Sequence, residues 1–505
     1  MKIGWKWVAA WVVCCIVLVI NAWSSLSSLV DDAFISGRYA LLAESGFGYV
    51  YNAHTAPIEG FSNPLWTAWL SLTMKWGLPS HQTMVWSGVL CGMLALACLM
   101  WLTCRILETT DVRLAVLPAL LLAIDPHFGV VISNGLESAL YMAMVFGALA
   151  GVGMKANATR AAWGVWVGLL CACRPEGLLV MGLVLLFDVL PRPPRRMGSY
   201  LSVATAAVPV GLLWVWRLWN YGAWLPNTAS AKATMAWADL MWKHWVYLRP
   251  DWYFWVGWLV LVGVAVWLGN RTWRVGGLLC LVLALVAVAG QVYLWMPGAR
   301  LLLTPMALGF VLLAAPLLHA RRGVRRSWAV VLCMAVALLF LSPVRGKILR
   351  QDWVHSVQPD NPALLAALHL REHAPPGTTL AIRDAGVVAF GAGAEMTVFE
   401  LHPRALTQLH EEGADAKILE YTPVNPDIFV FTSNREKRQS LYYGPERALW
   451  NRTTAGYRYM GRVYQHHHRY YDVLVREELK IPSFPDEWIT NRALRLSAHN
   501  PPVSP

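Results

Sequence analysis

Apolar residues come in long runs over the first two thirds of the chain, and most runs approach the roughly 20 residues that carry a helix across a bilayer. Eleven of them predict spans, at about 8–29, 82–104, 114–131, 138–154, 161–173, 177–190, 200–219, 252–269, 275–294, 301–319 and 327–343. The first follows Lys2 and Lys6 as a signal sequence would. It is long for one, and no small-residue cleavage pattern follows, so we read it as a retained span. After Val344 the pattern changes. Amphipathic spacing predicts a helix over 361–373, buried strands over 380–383, 396–401 and 428–432, and a late strand pair over 457–465 and 470–476. The expected organisation is a membrane part, 1–343, followed by a small α/β domain, 344–505.

Composition agrees with a polytopic membrane protein: 57% of the 505 residues are hydrophobic and only 14% are charged. The formal charge of +12 raises nucleic acid as a partner, but the basic residues sit in short clusters between apolar runs rather than on one surface. Such clusters set topology. With a cytoplasmic N-terminus, Lys2, Lys6, Arg105, Arg113, Lys155, Arg160, Arg192, Arg195, Arg196, Arg271, Arg274 and the 321–326 cluster all fall inside. The same count puts the C-terminal domain outside the cytoplasmic membrane. One further apolar segment, 63–78, would invert every later loop if it spanned. We therefore lay it along the outer interface within a first outer loop, 30–81, where Trp66, Trp69 and Trp76 suit the headgroup layer.

All nine cysteines lie in or at the ends of apolar segments, which argues against a disulfide framework, and Cys171 and Cys173 read as small apolar fillers. His466, His467 and His468 separate two expected strands. Three consecutive side chains cannot all face one metal, so a polar turn or exposed ladder is the better reading.

With this topology the outward ends of the spans share one membrane face. They carry Asp31, Asp32 and Arg38; Glu59 and Asn63; Asn134, Glu137 and Ser138; Arg174 and Glu176; Asn227 and Lys232; and Arg300. Ionisable groups at a membrane boundary need partners, water or a ligand. A carboxylate pair with several cations suits a reaction in which a base activates a hydroxyl while cations hold a departing phosphate, as in glycosyl transfer from a lipid phosphate. Plainer readings stand beside this one. Asp31-Asp32 could be a solvated helix end, Arg174 could pair with Glu137 or Glu176, and Arg300 could anchor a span at the phosphate layer.

The segments DDAFISGRYA, EGFSNPLW, NGLESALY, CRPEGLL, LPNTASAKA and WMPGARLLL together resemble polytopic glycosyltransferases of the GT-C type, closest to the branch of polyprenyl-phosphate-arabinose-dependent arabinofuranosyltransferases. That branch holds the mycobacterial terminal enzymes and Gram-negative relatives, some of which modify pilin. The resemblance runs through the membrane part and weakly into RDAGVVAFGAG, at 383–393. It implies a GT-C fold of about 11 transmembrane helices with a C-terminal extracytoplasmic α/β domain, and a catalytic acid in the first outer loop, where Asp31 and Asp32 match. It also implies a lipid phosphate near Arg174, Lys232 and Arg300. Arg38, Glu59, Asn63, Asn134, Glu137, Glu176 and Asn227 would support the substrates. The chain departs from the pattern before WMPG, where relatives tend to carry an acid and this one has Gln291-Val292-Tyr293-Leu294-Trp295.

The expected activity is therefore transfer of a sugar, of which arabinofuranose is the leading candidate, from a polyprenyl-phosphate donor to an extracytoplasmic glycan or protein such as pilin. The expected location is the cytoplasmic (inner) membrane, among lipids and without nucleic acid. No cofactor is fixed by the sequence, although Asp31 and Asp32 could hold a divalent cation. Two alternatives are a transporter or lipid flippase, and a non-catalytic acceptor-binding member of the fold.

Overall fold

The long apolar runs fold as helices. In the computed structural model, which describes residues 4–26, 29–53, 55–78, 80–154, 156–189, 197–227, 303–320, 361–382, 386–400, 426–433, 456–466 and 469–489 and a few isolated positions between 256 and 282, three helices are long and apolar enough to cross a bilayer. They are α1 (Trp5–Ala22), α4 (Ser80–Ile106) and the Tyr200–Tyr221 part of α11 (Met197–Tyr221). Further apolar helices pack among them: α7 (Ser138–Gly151), α8 (Asn157–Gly168) with α9 (Leu170–Cys173), α10 (Gly177–Val189) and α12 (Leu303–Ala320). The expected spans at 252–269, 275–294 and 327–343 lie outside the described residues apart from isolated positions, as do Lys232, Arg300, His467 and His468.

The span expected at 114–131 is broken. It forms α5 (Val112–Ile124) and α6 (Pro126–Ser133), bent by 70°. Pro126 has no N–H to continue α5, and its ring collides with the carbonyl one turn back. The break is satisfied internally. Asp125 caps α6 by accepting from His127 N at 2.8 Å, and Asn21 Nδ2 donates to the carbonyls of Ala123 and Asp125 at 3.0 and 2.8 Å.

Close helix approaches are built on glycine pairs four residues apart, which let backbones meet where lipid supplies no hydrophobic drive. A Cβ on Gly164 of α8 would meet Ser202 O of α11 at 2.5 Å, and one on Gly168 would strike Ala206 O. On α4, a Cβ at Gly88 would strike Ile132 O of α6. The described cysteines are free thiols inside or beside this bundle.

The loop after α1 contains α2 (Asp31–Glu44) and α3 (Pro64–Lys75). Asp31 and Asp32 occupy the first turn of α2, where carboxylates complement the unpaired N–H groups. Pro64 opens α3 at the position where its missing donor costs nothing. At 12 residues α3 is too short to span. Trp69 and Trp76 are exposed, but Trp66 is buried and donates to Gly135 O at 3.0 Å, so it packs in the protein rather than at an interface.

Beyond residue 360, α13 (Pro362–His373), capped by Asn361, precedes a mixed five-stranded sheet. Its strands are β1 (Thr379–Ile382), β2 (Thr397–Glu400), β3 (Ile428–Ser433), β4 (Tyr457–His466) and β5 (Arg469–Arg476), in the order β2-β1-β3-β5-β4. β1 lies parallel to β2 and β3, and β5 runs antiparallel to β3 and β4. A short helix, α14 (Val387–Gly391), joins β1 to β2. One apolar core fills the helix bundle. A second joins Phe34, Tyr39, Phe61 and Trp66 to Leu380, Val387 and Val430, so the sheet and the first loop share a core.

Candidate active site

α2 presents the acidic pair and is gripped by chain more than 350 residues away. Val387 N donates to Asp31 Oδ1 at 2.9 Å, and Gly386 lies so close that a Cβ there would strike the Asp31 carboxyl. Phe390 packs on Phe34 at 5.4 Å between centroids and against Gly37. Nearly two turns after Asp31 and Asp32, Arg38 is fully buried with all five donors in use. Nε reaches Tyr51 O at 2.8 Å; Nη1 reaches Ala389 O and Gly393 O; Nη2 reaches Asn52 Oδ1 and Met396 O. Burial draws the Arg38 pKa below its ordinary value, and its hydrogen-bond partners are neutral oxygens rather than carboxylates. Arg38 therefore fastens α2 to the α14 segment and is saturated as a donor.

A second network ties the other elements to α2. Ser36 Oγ and Thr67 Oγ1 donate to Asn63 Oδ1 at 3.0 and 3.1 Å, and Asn63 Nδ2 donates to Glu137 Oε2 at 2.6 Å. Arg174 Nη1 bonds the other Glu137 oxygen, while its Nε and Nη2 reach Glu176 at 3.2 and 3.4 Å. Of the two readings given for Arg174, the observed geometry is the pairing: one buried cation between two carboxylates. Asn134 joins through backbone, accepting from Val30 N at 3.1 Å, and its Oδ1 receives Leu136 N at 3.0 Å.

Glu59 lies in a third group. Tyr39 OH donates to Ile58 O at 2.7 Å and accepts from Gly60 N at 2.9 Å, which fixes the turn around Glu59. The Glu59 carboxylate receives Arg217 Nε of α11 at 3.0 and 2.9 Å, and its carbonyl accepts from Asn227 N at 3.0 Å. Burial pushes the Glu59 carboxyl up to about 7, against the pull of Arg217. The sequence reading passed over Arg217. The available signal was a cation inside the apolar run WVWRLW, since ionisable residues within spans mark function by default.

Beside this pair is an apolar cavity of about 490 Å³ bounded by Tyr49 and Phe61 of the first loop, Leu65 of α3, and Val208, Leu212 and Trp216 of α11. None of its lining residues is charged. Glu59, Glu137 and Arg174 are buried, whereas Asp31, Asp32 and Glu176 are half-buried and can meet a substrate. Among the described residues no three His, Cys, Asp or Glu gather as a metal-ligand set, and Asp31 already gives one oxygen to Val387.

No family model matches the sequence, and no curated protein matches it. The structure does have counterparts. The oligosaccharyltransferase of Archaeoglobus fulgidus, crystallised with zinc and sulfate, aligns with a TM-score of 0.53 at 12% identity over 90% of this chain and 71% of that one. ArnT from Cupriavidus metallidurans, bound to undecaprenyl phosphate, aligns with a TM-score of 0.52 at 14% identity over 92% of this chain and 97% of its own. The fold is of the GT-C type. The chain is thus a multi-pass membrane protein with the fold of membrane glycosyltransferases, and at these identities the likeness is one of fold.

Proposed function

We propose that the protein is a glycosyltransferase that moves a sugar, arabinofuranose being the leading candidate, from a polyprenyl phosphate to a glycan or protein acceptor outside the cytoplasmic membrane. The observation that carries this reading is the half-buried Asp31-Asp32 pair at the start of α2, in a loop that also walls an uncharged cavity within a GT-C fold. The cavity suits an isoprenoid chain, and a related fold has been crystallised with undecaprenyl phosphate. Another was crystallised tethered to an acceptor peptide, with a TM-score of 0.50 at 12% identity over 85% of this chain and 69% of that one.

In an inverting transfer, one of the two aspartates takes the proton from the acceptor hydroxyl. The acceptor oxygen bonds to the anomeric carbon as the bond from that carbon to the phosphate oxygen breaks, and polyprenyl phosphate leaves with the electron pair. The other aspartate orients the first. Lys232 and Arg300 retain their proposed place at the phosphate, while Arg174 organises Glu137 and Glu176.

The test is mass spectrometry of surface glycans and glycoproteins from cells with the gene, without it, and with Asp31→Asn or Asp32→Asn. The amide introduced by Asp31→Asn keeps an oxygen for Val387 N, so folding is spared. A sugar mass should vanish in the deletion and in at least one variant; normal modification in both variants refutes the mechanism.

A transporter is the second reading, favoured by the broken helix at Asp125-Pro126 with His127 beside it, since transporters place ionisable groups on interrupted helices. Alternating thiol accessibility from the two membrane sides along α6 would select it.

A further inference from the structure

We infer that Arg217 receives the phosphate of the lipid donor, its Nη2 donating to a phosphoryl oxygen while the lipid chain lies in the adjoining cavity; this rests on the donor class proposed above. Arg217 is 4% exposed, and its Nη2 is buried with no hydrogen-bond partner among the described residues. Buried guanidinium donors are seldom left unpaired, because an unmet charged donor forfeits its hydration without return. The bonds from Glu59 are to Nε, which holds the guanidinium in one orientation and leaves Nη2 for another acceptor.

Placement supports the same ligand. Arg217 directly follows Trp216, and Glu59 comes two residues before Phe61; Trp216 and Phe61 both line the cavity. A lipid phosphate in those uncharged walls needs a cation at their edge. The other two buried arginines of this region do not serve: Arg38 has every donor engaged, and Arg174 with Glu137 and Glu176 forms a group of net negative charge. A guanidinium also suits phosphate by presenting several donors in one plane.

The experiment measures binding of undecaprenyl phosphate, undecaprenol and inorganic phosphate to the purified full-length protein by native mass spectrometry. Wild type should prefer undecaprenyl phosphate to undecaprenol by about 10- to 100-fold, as expected for a charge-assisted hydrogen bond. The variant E59Q/R217M replaces both partners of the ion pair, so no buried charge is stranded. It should lose about tenfold or more of that preference, the remainder being left to Lys232 and Arg300, while keeping undecaprenol affinity. If that variant fails to hold undecaprenol, Arg217→Gln carries the decision with the same two outcomes. A wild type that does not distinguish the lipids overturns the donor class itself. A wild type that does, with the preference surviving undiminished in the Arg217 variants, overturns only the Arg217 assignment and leaves Nη2 to an ordered water. Inorganic phosphate competing as well as the lipid overturns the lipid source and marks a free-anion site.

Discussion

Replacing Arg38 by methionine should release the α14 segment from α2 without melting the helix bundle. Methionine keeps the apolar stem and removes a head that donates to four backbone carbonyls, those of Tyr51, Ala389, Gly393 and Met396, and to Asn52 Oδ1. Asn52 Oδ1 retains its bond from Val398 N at 2.9 Å, so the stranded acceptors are the four carbonyls. At roughly 1 kcal/mol for each buried acceptor left unpaired, the docking loses about 4 kcal/mol. Removing a buried charge that has no carboxylate partner returns part of this, which sets about 3 kcal/mol as the expected net. At about 1.4 kcal/mol per tenfold, the opening equilibrium shifts by about 100-fold. Hydrogen exchange read by mass spectrometry should show that loss of protection in peptides covering 387–398, where Val387 N and Val398 N bond to the first loop. Peptides from α4 and α7 should be unchanged. Exchange over 387–398 within about threefold of wild type would refute Arg38 as the fastening.

Gly386→Ala places a methyl on the Asp31 carboxyl, and the sugar-transfer product measured by mass spectrometry should fall at least tenfold, on the order expected for a displaced catalytic group, although both aspartates remain. Gly168→Val drives a side chain into Ala206 O and should cost about 1–3 kcal/mol, read as a lower thermal midpoint in detergent. Glu59 gives a pH signature. Its folded value of about 7 lies above the ordinary 4.5, so the folded protein binds this proton more tightly than the unfolded chain, and stability falls as pH rises from 4.5 to about 7. The span corresponds to about 3 kcal/mol, and Glu59→Gln should flatten the thermal midpoint across that window.

What the sequence made legible was local. Apolar run length located α1, α4, α7 and α11, and short apolar runs and a late strand pair located the strands from β1 to β5 within a few residues. Proline within the run at 114–131 was a visible sign of the bend, but run length alone reads through it, because hydropathy is blind to direction. Trp66 looked like an interface residue by the same blindness: composition does not say which face of α3 meets Gly135. The candidate acids could be collected on one face by topology, yet their partners could not. Asp31 bonds Val387 N, and Arg38 bonds Gly393 O and Met396 O, across some 350 residues that impose no periodic pattern on each other.

Those long-range bonds change the meaning of the boundary near residue 343. Patterning divides the chain there because apolar runs give way to alternation. Packing does not respect the division: the core around Phe34, Tyr39 and Trp66 continues into Leu380, Val387 and Val430. Asp31 is held by α2 on one side and by the start of α14 on the other. Arg38 meets its five acceptors only when both segments are in place. In the proposed role of base, Asp31 has to be fixed within a fraction of an ångström. Here that fixing comes from Gly386 and Val387, so the sheet-bearing segment forms part of the wall of the acidic site rather than an appendage to it. Over 386–393, Gly386, Val387, Ala389, Phe390 and Gly393 all touch α2.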